Sequence, residues 1–417
     1  MTYDFTTLMD RKGKDAVALD VEQAISGDNL AQANVKIRDG FSVIPMWVAD
    51  MNFPTVPTII EELQTRVAHP AFGYFRPTKA YFDSIIDWHR DRYGITAMKA
   101  ENIGYENGVL GGVVNALNVL CSKGDRVLIH SPTYIGFNHC LQDNGYNLIR
   151  SPLKLDENGI WRMDYEDMEA KIREHKIHAA VFCSPHNPTG RVWERWEIEK
   201  AMALFAKYDV YVVSDEIWAD LVTIGYQHIP TQSVSEDAKM RTIAMYAPSK
   251  TFNLAGLIGS YHVIYNPWLK DRVDREARLS HYNGMNVLSM HALIGAYKPE
   301  GRVWLDELRE VLTDNINYAY DFITTHFKGV KLAKPQGTYM LFLDCTEWCA
   351  EHGKTLDELE ITGMEVGVIW WDGRAFNHPC AIRMNLALPH IRLSKRLTDW
   401  IGMFLMLVKR RTAVRSC

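Results

Sequence analysis

Residues 209–220, DVYVVSDEIWAD, contain a short apolar run that ends at an acidic residue, Asp215. Apolar residues at consecutive positions are typical of a strand that is covered on both faces of a sheet. A carboxylate at the end of such a strand loses several kcal/mol in desolvation unless a positive group pairs with it. We therefore predict a buried central strand, and we expect Asp215 either to cap a following helix or to face a cation.

Similar runs flank this strand and alternate with helical stretches between about residues 105 and 265. The runs are DRVLIH (125–130), HAAVFCS (178–184), RTIAMYA (241–247) and SYHVIY (260–265). The stretch VVNALNVL places Val113, Ala116, Leu117 and Leu120 at helical spacing, which predicts one buried helix face. Strands separated by helices indicate a mostly parallel sheet with helices on both faces, which binds ligands beyond the carboxyl ends of its strands.

The pattern changes after about residue 270 to long helices, notably 301–327, and to short strands around VKLAKP and TYMLFLDC. A final helix is predicted at about 391–409. We therefore predict an α/β fold with a three-layer large domain at 51–290 and a smaller α+β domain at 291–417. Residues 1–50 are expected to form an arm that contributes to the small domain and to the substrate pocket.

Composition excludes several classes of partner. The 417-residue chain is 47% hydrophobic and has a net charge of −5, so it has no basic field for nucleic acid or an anionic membrane. Its seven cysteines are scattered and form no CxxC pair, so we expect reduced thiols, a cytoplasmic location and neither disulfides nor a metal site. The run WIGMFLMLV at 400–408 is shorter than the roughly 20 residues that a membrane span requires.

Two polar residues follow predicted strands in turn-like sequences. Lys250 lies in APSKTFNLAG (247–256), where it is either a strand-end lysine extending to solvent or a lysine whose amine forms a covalent bond. Asn187 lies in SPHNPTG (184–190), a composition that also suits an ordinary turn. Neither residue identifies a function when it is considered alone.

Two further features follow strands in the same way. Gly108, Val109 and Leu110 begin a predicted helix, whose first N–H groups attract a phosphate, although the glycine also suits a tight turn. The sequence is not GxGxxG, so it does not predict a dinucleotide site. Tyr134 in SPTYIGF either stacks on a flat heterocycle or fills the core.

Together, an amine, an acid, an amide, an aromatic ring and a phosphate-binding helix start suit pyridoxal 5'-phosphate (PLP). This cofactor requires a lysine that bonds to its aldehyde and a carboxylate that keeps its pyridine nitrogen protonated. Lys250 and Asp215 are the residues predicted for these two roles. The pyridinium then supplies the positive partner that Asp215 requires.

Three ordered motifs carry a family resemblance: SPHNPTG, SDEIWAD (214–220) and APSKTFNLAG. At these spacings the chain resembles the fold-type I PLP-dependent enzymes of the aminotransferase class I/II superfamily. Three other stretches are similar to the MalY/PatB branch of cystathionine β-lyases, which are carbon-sulfur lyases. They are MWVADMNFPTVP (46–57), FGYFRPTKAYFDSIIDWHRDRYGI (72–95) and AIRMNLALP (381–389).

The resemblance implies a role for each matching residue. Lys250 is expected to bond to PLP and to move a proton, Asp215 to pair with the pyridine nitrogen, and Tyr134 to stack on the ring as the third catalytic residue. Asn187 is expected to hydrogen-bond the ring hydroxyl, and Trp218 to contact the cofactor. 

The resemblance also implies the contacts of the phosphate and of the substrate. The phosphate is expected to bind the amides of Val109 and Leu110, the Ser249 side chain and Tyr74 from a second subunit, so a homodimer is predicted. The substrate carboxylate is expected to bind Arg383 in a two-pronged hydrogen bond, beside Ala49 and Asp50.

The implied reaction is α,β-elimination from L-cystathionine or a related cysteine S-conjugate, which yields a thiol, pyruvate and ammonia. An aminotransferase on the same scaffold is the alternative, and a regulatory binding protein is a third hypothesis. Trp218 stands where many relatives have tyrosine or histidine, and Asn52 and His390 also depart from the branch. Trp370 and Trp371 either narrow the pocket for an apolar substituent or belong to the core.

Overall fold

The computed structural model describes residues 1–19, 36–279, 283–395 and 397–399. The helices are α1 Pro57–Ala68, α2 Lys79–Tyr93, α3 Val109–Leu120, α4 Ile135–Asp143, α5 Tyr165–His175, α6 Arg195–Lys207, α7 Glu236–Arg241, α8 Pro248–Thr251, α9 Pro267–Leu279, α10 Val287–Ala296, α11 Pro299–His326, α12 Thr346–His352 and α13 Leu356–Glu365. The strands are β1 Ile44–Pro45, β2 Ile103–Glu106, β3 Arg126–Ser131, β4 Asn147–Pro152, β5 Lys154–Leu155, β6 Trp161–Arg162, β7 Ala179–Cys183, β8 Tyr211–Asp215, β9 Thr242–Tyr246, β10 Ser260–Val263, β11 Met340–Asp344, β12 Val368–Ile369, β13 Trp371–Asp372 and β14 Ala381–Asn385.

The large sheet has seven strands in the order β2-β10-β9-β8-β7-β3-β4. Strands β4, β3, β7, β8 and β9 are parallel to one another, which confirms the predicted α/β fold with a mostly parallel sheet. Strand β10 is antiparallel to both β9 and β2, which the sequence pattern does not reveal. The connection from β9 to β10 has no long crossover helix, and a parallel pair requires one.

The sheet brings the ends of its central strands together. Asp215, the last residue of β8, pairs in register with Cys183 of β7 and Met245 of β9. The loops that carry Asn187 and Lys250 leave the sheet at this same edge, because parallel strands all end there. Helix α3 packs on the sheet through Val113, Ala116 and Leu117, which are buried, and Leu120, which is partly buried, as its spacing predicts.

A second sheet lies in the C-terminal part of the chain. Strands β11, β14 and β13 are antiparallel, while β1 from the N-terminal segment pairs with β12 in parallel. Helix α11 packs Trp304 and Leu308 into one core cluster and Ile316 and Ile323 into the C-terminal cluster. The helix therefore contacts both cores, and the domain limits at residues 50 and 290 stay predictions.

The structure also bears on two elements predicted in the C-terminal part, the strand at VKLAKP and the final helix. The stretch VKLAKP is not a strand, since only Lys331 forms an isolated bridge, with Asp344, before the chain turns at Pro335. Residues 390–395 and 397–399 are helical, and the rest of the predicted final helix lies outside the described residues, as does the run at 400–408. Within the described ranges, no helix has both the length and the apolar composition that crossing a bilayer requires.

Candidate active site

A cavity of about 270 Å³ opens at the carboxyl edge of the large sheet. Nine of the predicted site residues line it: Ala49, Val109, Leu110, Tyr134, Asn187, Asp215, Trp218, Ser249 and Lys250. Gly108, Ile217, Ala247, Ala255, Ile258, Gly259 and Ser260 complete the lining. The tertiary fold therefore brings together residues that lie as much as 201 positions apart, such as Ala49 and Lys250.

Lys250 lies in the short helix α8, which directly follows β9. Its Nζ donates a hydrogen bond of 2.9 Å to the carbonyl oxygen of Ala49. Burial, and next the positive charge of Arg383, lower the pKa of the Lys250 amine to about 8, while Asp50 and Asp215 act in the opposite direction. A large fraction of this amine is therefore neutral near pH 8, and a neutral amine is the nucleophilic form.

Asp215 is 4% exposed, and its Oδ1 accepts a hydrogen bond of 3.1 Å from the Ile217 N–H. Residues 217–220 form a turn, so the expectation that Asp215 caps a helix is wrong. Burial raises the pKa of the Asp215 carboxyl to about 7, against the Ile217 hydrogen bond and the charge of Lys250, which lower it. Among the described residues no cation forms an ion pair with this carboxyl, and a pyridinium in the cavity would supply one.

The start of α3 forms one wall of the cavity. The sequence predicts that phosphate binds at this wall. Gly108 precedes the helix with a φ of 83°, a conformation that favours glycine, and Val109 and Leu110 follow at its first turn. The first N–H groups of a helix have no partner within the helix. Ser249 lines the same cavity, whereas Ile258 contributes only an apolar side chain at a half-exposed position.

Tyr134 directly precedes α4 and is half-buried, with its ring edge-on to Phe137 at 5.5 Å between centroids. A Cβ on Gly136 would lie 2.4 Å from Cε1 of Tyr134, so only a glycine leaves room for this ring position. Burial raises the pKa of the Tyr134 hydroxyl, and the charge of Arg383 partly offsets this shift. The ring is placed to contact a flat group in the cavity that it lines.

Arg383 lies on β14 of the small sheet, and its side chain contacts Asn187 and Trp47 in two loops outside that sheet. Its Nη1 donates to Oδ1 of Asn187 at 3.2 Å, and its Nη2 donates to the carbonyl oxygen of Trp47 at 2.9 Å. The guanidinium lies over the Phe376 ring, 4.6 Å from its centroid. Burial lowers the pKa of Arg383 to about 10. Its Nε is buried and has no hydrogen-bond partner among the described residues, so one donor of this cation is available.

Two asparagines hold the segment at 48–51, and the sequence alone did not single them out. The Asn385 amide donates to the carbonyl oxygens of Val48 and Asp50, both at 2.6 Å. The Asn253 side chain accepts from the Met51 N–H and donates to the Met51 carbonyl oxygen, both at 2.9 Å. Asn253 follows Lys250 by three positions in the same motif, which is the signal that could have identified it.

The predicted residues differ in how they meet the cavity. Ala49 lines it, while the Asp50 carboxylate forms an ion pair with Arg11 at 2.6 Å. Trp218 is buried, lines the cavity and lies with its ring centroid 5.8 Å from Nζ of Lys250. Tyr74 is fully exposed and is not among the residues that line the cavity of this single chain.

The two consecutive tryptophans have different positions. Trp370 belongs to the buried C-terminal core cluster. Of the two alternatives for this residue, a pocket wall or a core position, the structure shows the core position. Trp371 is half-buried and stacks on Trp47 with ring centroids 5.0 Å apart, while the Arg383 guanidinium lies 6.0 Å from its centroid. Trp371 therefore borders the site on the side of Arg383.

The donor set of this cavity fits PLP. The buried Asp215 carboxyl offers a counter-charge for a protonated ring nitrogen, and the Lys250 amine offers a nucleophile with a lowered pKa. The start of α3 offers N–H groups for a phosphate. The unpartnered Nε of Arg383 offers a donor for a carboxylate on the substrate side.

Comparisons with known proteins identify the relatives of this chain. The family model for aminotransferase class I and II matches residues 42–397. Cystathionine beta-lyase PatB of Bacillus subtilis (strain 168) is 35% identical over 301 residues, which cover 72% of this chain and 77% of PatB.

Two solved structures have the same fold over nearly the whole chain. A PLP-bound protein from Clostridium difficile 630, provisionally called an aminotransferase, has a TM-score of 0.87 and 32% identity, covering 96% of this chain and 99% of its own. The PLP-bound C-S lyase from Staphylococcus hominis has a TM-score of 0.83 and 28% identity, covering 97% of this chain and 99% of its own.

Proposed function

The chain belongs to the aminotransferase class I and II family, and from that premise we propose that it is a PLP-dependent carbon-sulfur β-lyase. Its substrate is L-cystathionine or a related cysteine S-conjugate, which it splits into a thiol, pyruvate and ammonia. The names of PatB as a cystathionine beta-lyase and of the S. hominis protein as a C-S lyase support this reaction. The observation that carries the proposal is the half-buried Lys250 side chain, whose amine has a pKa of about 8, on the wall of a cavity that Asp215 also lines.

The cofactor site combines four groups of this chain. When bound, PLP supplies an aldehyde for covalent attachment of an amino group and a ring that accepts the electron pair released at Cα. Lys250 and Asp215 both line the cavity, where Lys250 would hold the aldehyde carbon and Asp215 would keep the ring nitrogen protonated. Asn187 and Tyr134 orient the ring, and the amides of Val109 and Leu110 bind the phosphate together with Ser249.

The Lys250 amine is the group that moves the proton. After the substrate amine replaces it, the released neutral side chain removes the proton from Cα. Its carbonyl partner, Ala49, keeps Nζ on the wall of the cavity. A pKa near 8 suits this role, because a base works best when its pKa lies close to the operating pH.

The elimination balances in atoms and electrons. The Cα–H bond breaks and its proton goes to Lys250, while the electron pair forms a double bond between Cα and Cβ. The Cβ–S bond breaks, and the sulfur leaves with its electron pair as a thiolate. The three-carbon fragment that remains hydrolyses to pyruvate and ammonia.

Arg383 holds the substrate in place for this reaction. A guanidinium that is fixed by Asn187 and by the Trp47 carbonyl oxygen presents Nε in one orientation, to which a carboxylate can bind. Fixing the carboxylate aligns the Cα–H bond with the lysine. Ala49 and Asp50 belong to the backbone segment that borders this position.

An aminotransferase is the second candidate, because the family description and the C. difficile structure both carry that name. Transamination begins with the same Cα proton transfer and then returns the proton to the cofactor side. A leaving group on Cβ favours elimination instead. The same residues of this chain serve both reactions, so the products decide between them.

The active enzyme is a homodimer in which Tyr74 reaches the phosphate of the neighbouring subunit. The full exposure of Tyr74 in one chain supports this proposal, because residues 69–80 are all exposed and present Phe72 and Phe75 beside it. An exposed aromatic stretch of this kind is typical of an interface. We also propose a cytoplasmic location, in line with the free cysteines of the described ranges.

The decisive experiment measures pyruvate and free thiol from a panel of cysteine S-conjugates and plain amino acids, with and without an added keto acid. Pyruvate and thiol formed without a keto acid support the β-lyase. Strict dependence on a keto acid rejects it in favour of the aminotransferase. Lys250→Ala is the matched control: it is expected to lose both the products and the yellow colour of the wild-type protein, whereas the exposed Lys99→Ala retains both.

A further inference from the structure

Tyr339 has a buried hydroxyl without a partner. The residue lies directly before β11, its side chain is 0% exposed, and its hydroxyl has no hydrogen-bond partner in the described part of the chain. Most buried polar groups are hydrogen-bonded, and one that is not costs free energy comparable to a lost hydrogen bond. A hydroxyl in this position therefore indicates a partner outside the described residues.

Contacts place the Tyr339 side chain beside the candidate active site. Its ring lies edge-on to the Trp218 indole, with centroids 4.9 Å apart and planes at 75°, and Trp218 lines the cavity. Its carbonyl oxygen accepts from the Leu386 N–H at 2.8 Å, directly beyond the strand that carries Arg383. Burial raises the pKa of the Tyr339 hydroxyl, and the charge of Asp50 raises it further while that of Arg383 lowers it, as expected for a phenol near both.

Arg383 is the second residue here with an unpartnered buried donor. Its two terminal nitrogens are held by Asn187 and Trp47, and its Nε has no partner among the described residues. The unsatisfied O–H donor thus belongs to the residue directly before β11, and the unsatisfied N–H donor to a residue on the adjoining strand β14. A carboxylate has two oxygens and satisfies both donors at once.

Two other buried tyrosines, Tyr246 and Tyr261, are different. The Tyr261 hydroxyl pairs with Nε2 of His89 at 2.9 Å and with the Tyr297 hydroxyl at 3.2 Å. The Tyr246 hydroxyl donates to Oε2 of Glu216 at 2.6 Å. Burial of a tyrosine in this fold is therefore usually accompanied by a hydrogen bond within the protein, and Tyr339 departs from that rule.

We propose that the Tyr339 hydroxyl donates a hydrogen bond to the carboxylate of the bound amino acid, beside Nε of Arg383. Tyr339 is thus a substrate-binding residue that recognises the same group as Arg383. The proposal rests on the proposed function in one respect only, namely that the ligand is an amino acid. It applies equally to elimination and to transamination.

The test is Tyr339→Phe, which removes the hydroxyl and keeps the ring. Binding to the PLP-loaded protein is followed by the change in its absorption, with an S-alkyl-L-cysteine and with the carboxamide of the same compound. The affinity for the acid is expected to fall about tenfold to a hundredfold, the size of a hydrogen bond to a charged group. The affinity for the carboxamide is expected to change less than about threefold, because the charged acceptor is missing.

Stability provides an independent readout that requires neither cofactor nor turnover. The melting temperature of the cofactor-free Tyr339→Phe protein is expected to equal or exceed that of the wild type, since an unsatisfied buried hydroxyl is removed. Tyr261→Phe is the matched control, and it is expected to lower the melting temperature while leaving the ratio of acid to carboxamide affinity unchanged. A structural role for Tyr339 would give the opposite result, with a lower melting temperature and an unchanged ratio.

Two outcomes would overturn the proposal: an unchanged affinity of Tyr339→Phe for the acid, or an equal loss for the acid and the carboxamide. Failure of the proposed lyase reaction is distinguishable from both. In that case the wild type releases no pyruvate, but its absorption still changes when the amino acid binds, and the comparison of variants stands.

Discussion

The Arg11 guanidinium forms a two-pronged ion pair with the Asp50 carboxylate, with Nη2–Oδ2 and Nη1–Oδ1 distances of 2.6 and 3.1 Å. Arg11 Nη1 also lies 3.3 Å from the Met51 carbonyl oxygen and from Oδ1 of Asn52. One side chain of the N-terminal segment therefore holds three consecutive residues that directly follow Ala49, which lines the cavity. Asp50, which the sequence assigned to the substrate, is thus engaged by the protein itself.

Replacing Arg11 by methionine is expected to loosen this segment. The Arg11→Met change leaves the mostly buried Asp50 carboxylate without its partner, so we expect a loss of about 1–3 kcal/mol in the free energy of unfolding. We also expect KM to rise more than kcat falls, because the altered segment binds substrate. Urea unfolding and steady-state kinetics measure the two effects. The exposed Arg275 of the Arg275–Asp271 pair is the control, and Arg275→Met should change neither quantity measurably.

Asp215 is expected to make the cofactor-free protein less stable as the pH rises. Its folded pKa of about 7 lies above its ordinary value of 3.8, so the folded protein retains a proton that the unfolded chain has released. The unfolded state then binds fewer protons, and stability falls between about pH 4 and pH 7, by about 4 kcal/mol at most. Unfolding at a series of pH values measures this slope.

Asp215→Asn isolates the contribution of that carboxyl. Asparagine does not titrate, so the cofactor-free variant should gain stability relative to the wild type as the pH rises from about 4 to about 7. In the PLP-loaded wild type the ring nitrogen supplies a cation and the pH effect should shrink. Identical pH profiles for the cofactor-free wild type and variant would contradict the assigned pKa.

Gly136→Ala is expected to weaken PLP binding through the ring of Tyr134. The added Cβ would lie 2.4 Å from Cε1 of Tyr134 and 2.8 Å from Cδ1 of Leu110, so the tyrosine ring must move. Loss of an aromatic contact should raise the PLP dissociation constant up to about tenfold. Absorbance titration of the cofactor-free protein with PLP measures it. Gly284→Ala has no atom within 4 Å of its added Cβ and is expected to bind PLP as the wild type does.

Tyr74 is expected to act across a dimer interface, which a mixture of two inactive chains can reveal. Tyr74→Ala lacks the phosphate contact and Lys250→Ala lacks the reactive amine. A mixed dimer contains one site with an intact Lys250 from one chain and an intact Tyr74 from the other. Activity should therefore reappear on co-expression, at up to half of the wild-type value per dimer. If the mixture stays as inactive as its components, Tyr74 does not act in trans.

Much of the fold follows from local pattern. The predicted helix at 301–327 is observed as Pro299–His326, and the apolar runs around Asp215 are strands of the large sheet. These elements are predictable because side-chain periodicity is set by neighbours along the chain. Other elements depend on remote contacts. The strand expected at VKLAKP does not form: only Lys331 of this stretch pairs, with Asp344, and the Gln336 and Gly337 N–H groups that follow it donate to the Gly190 carbonyl oxygen.

The candidate site also combines features that the local sequence predicts with features that depend on remote contacts. The sequence by itself determined which polar residues follow the strands. Because parallel strands all end at the same edge of the sheet, it also predicted that Lys250, Asp215 and Asn187 lie together and act on one ligand. Only the tertiary structure decided that Arg383 contacts Asn187, that Arg11 engages Asp50, and that the Tyr339 hydroxyl is buried without a partner. These relationships join residues 196 and 39 positions apart or depend on what surrounds a side chain. They depend on how the whole chain packs, and no local sequence pattern predicts that packing.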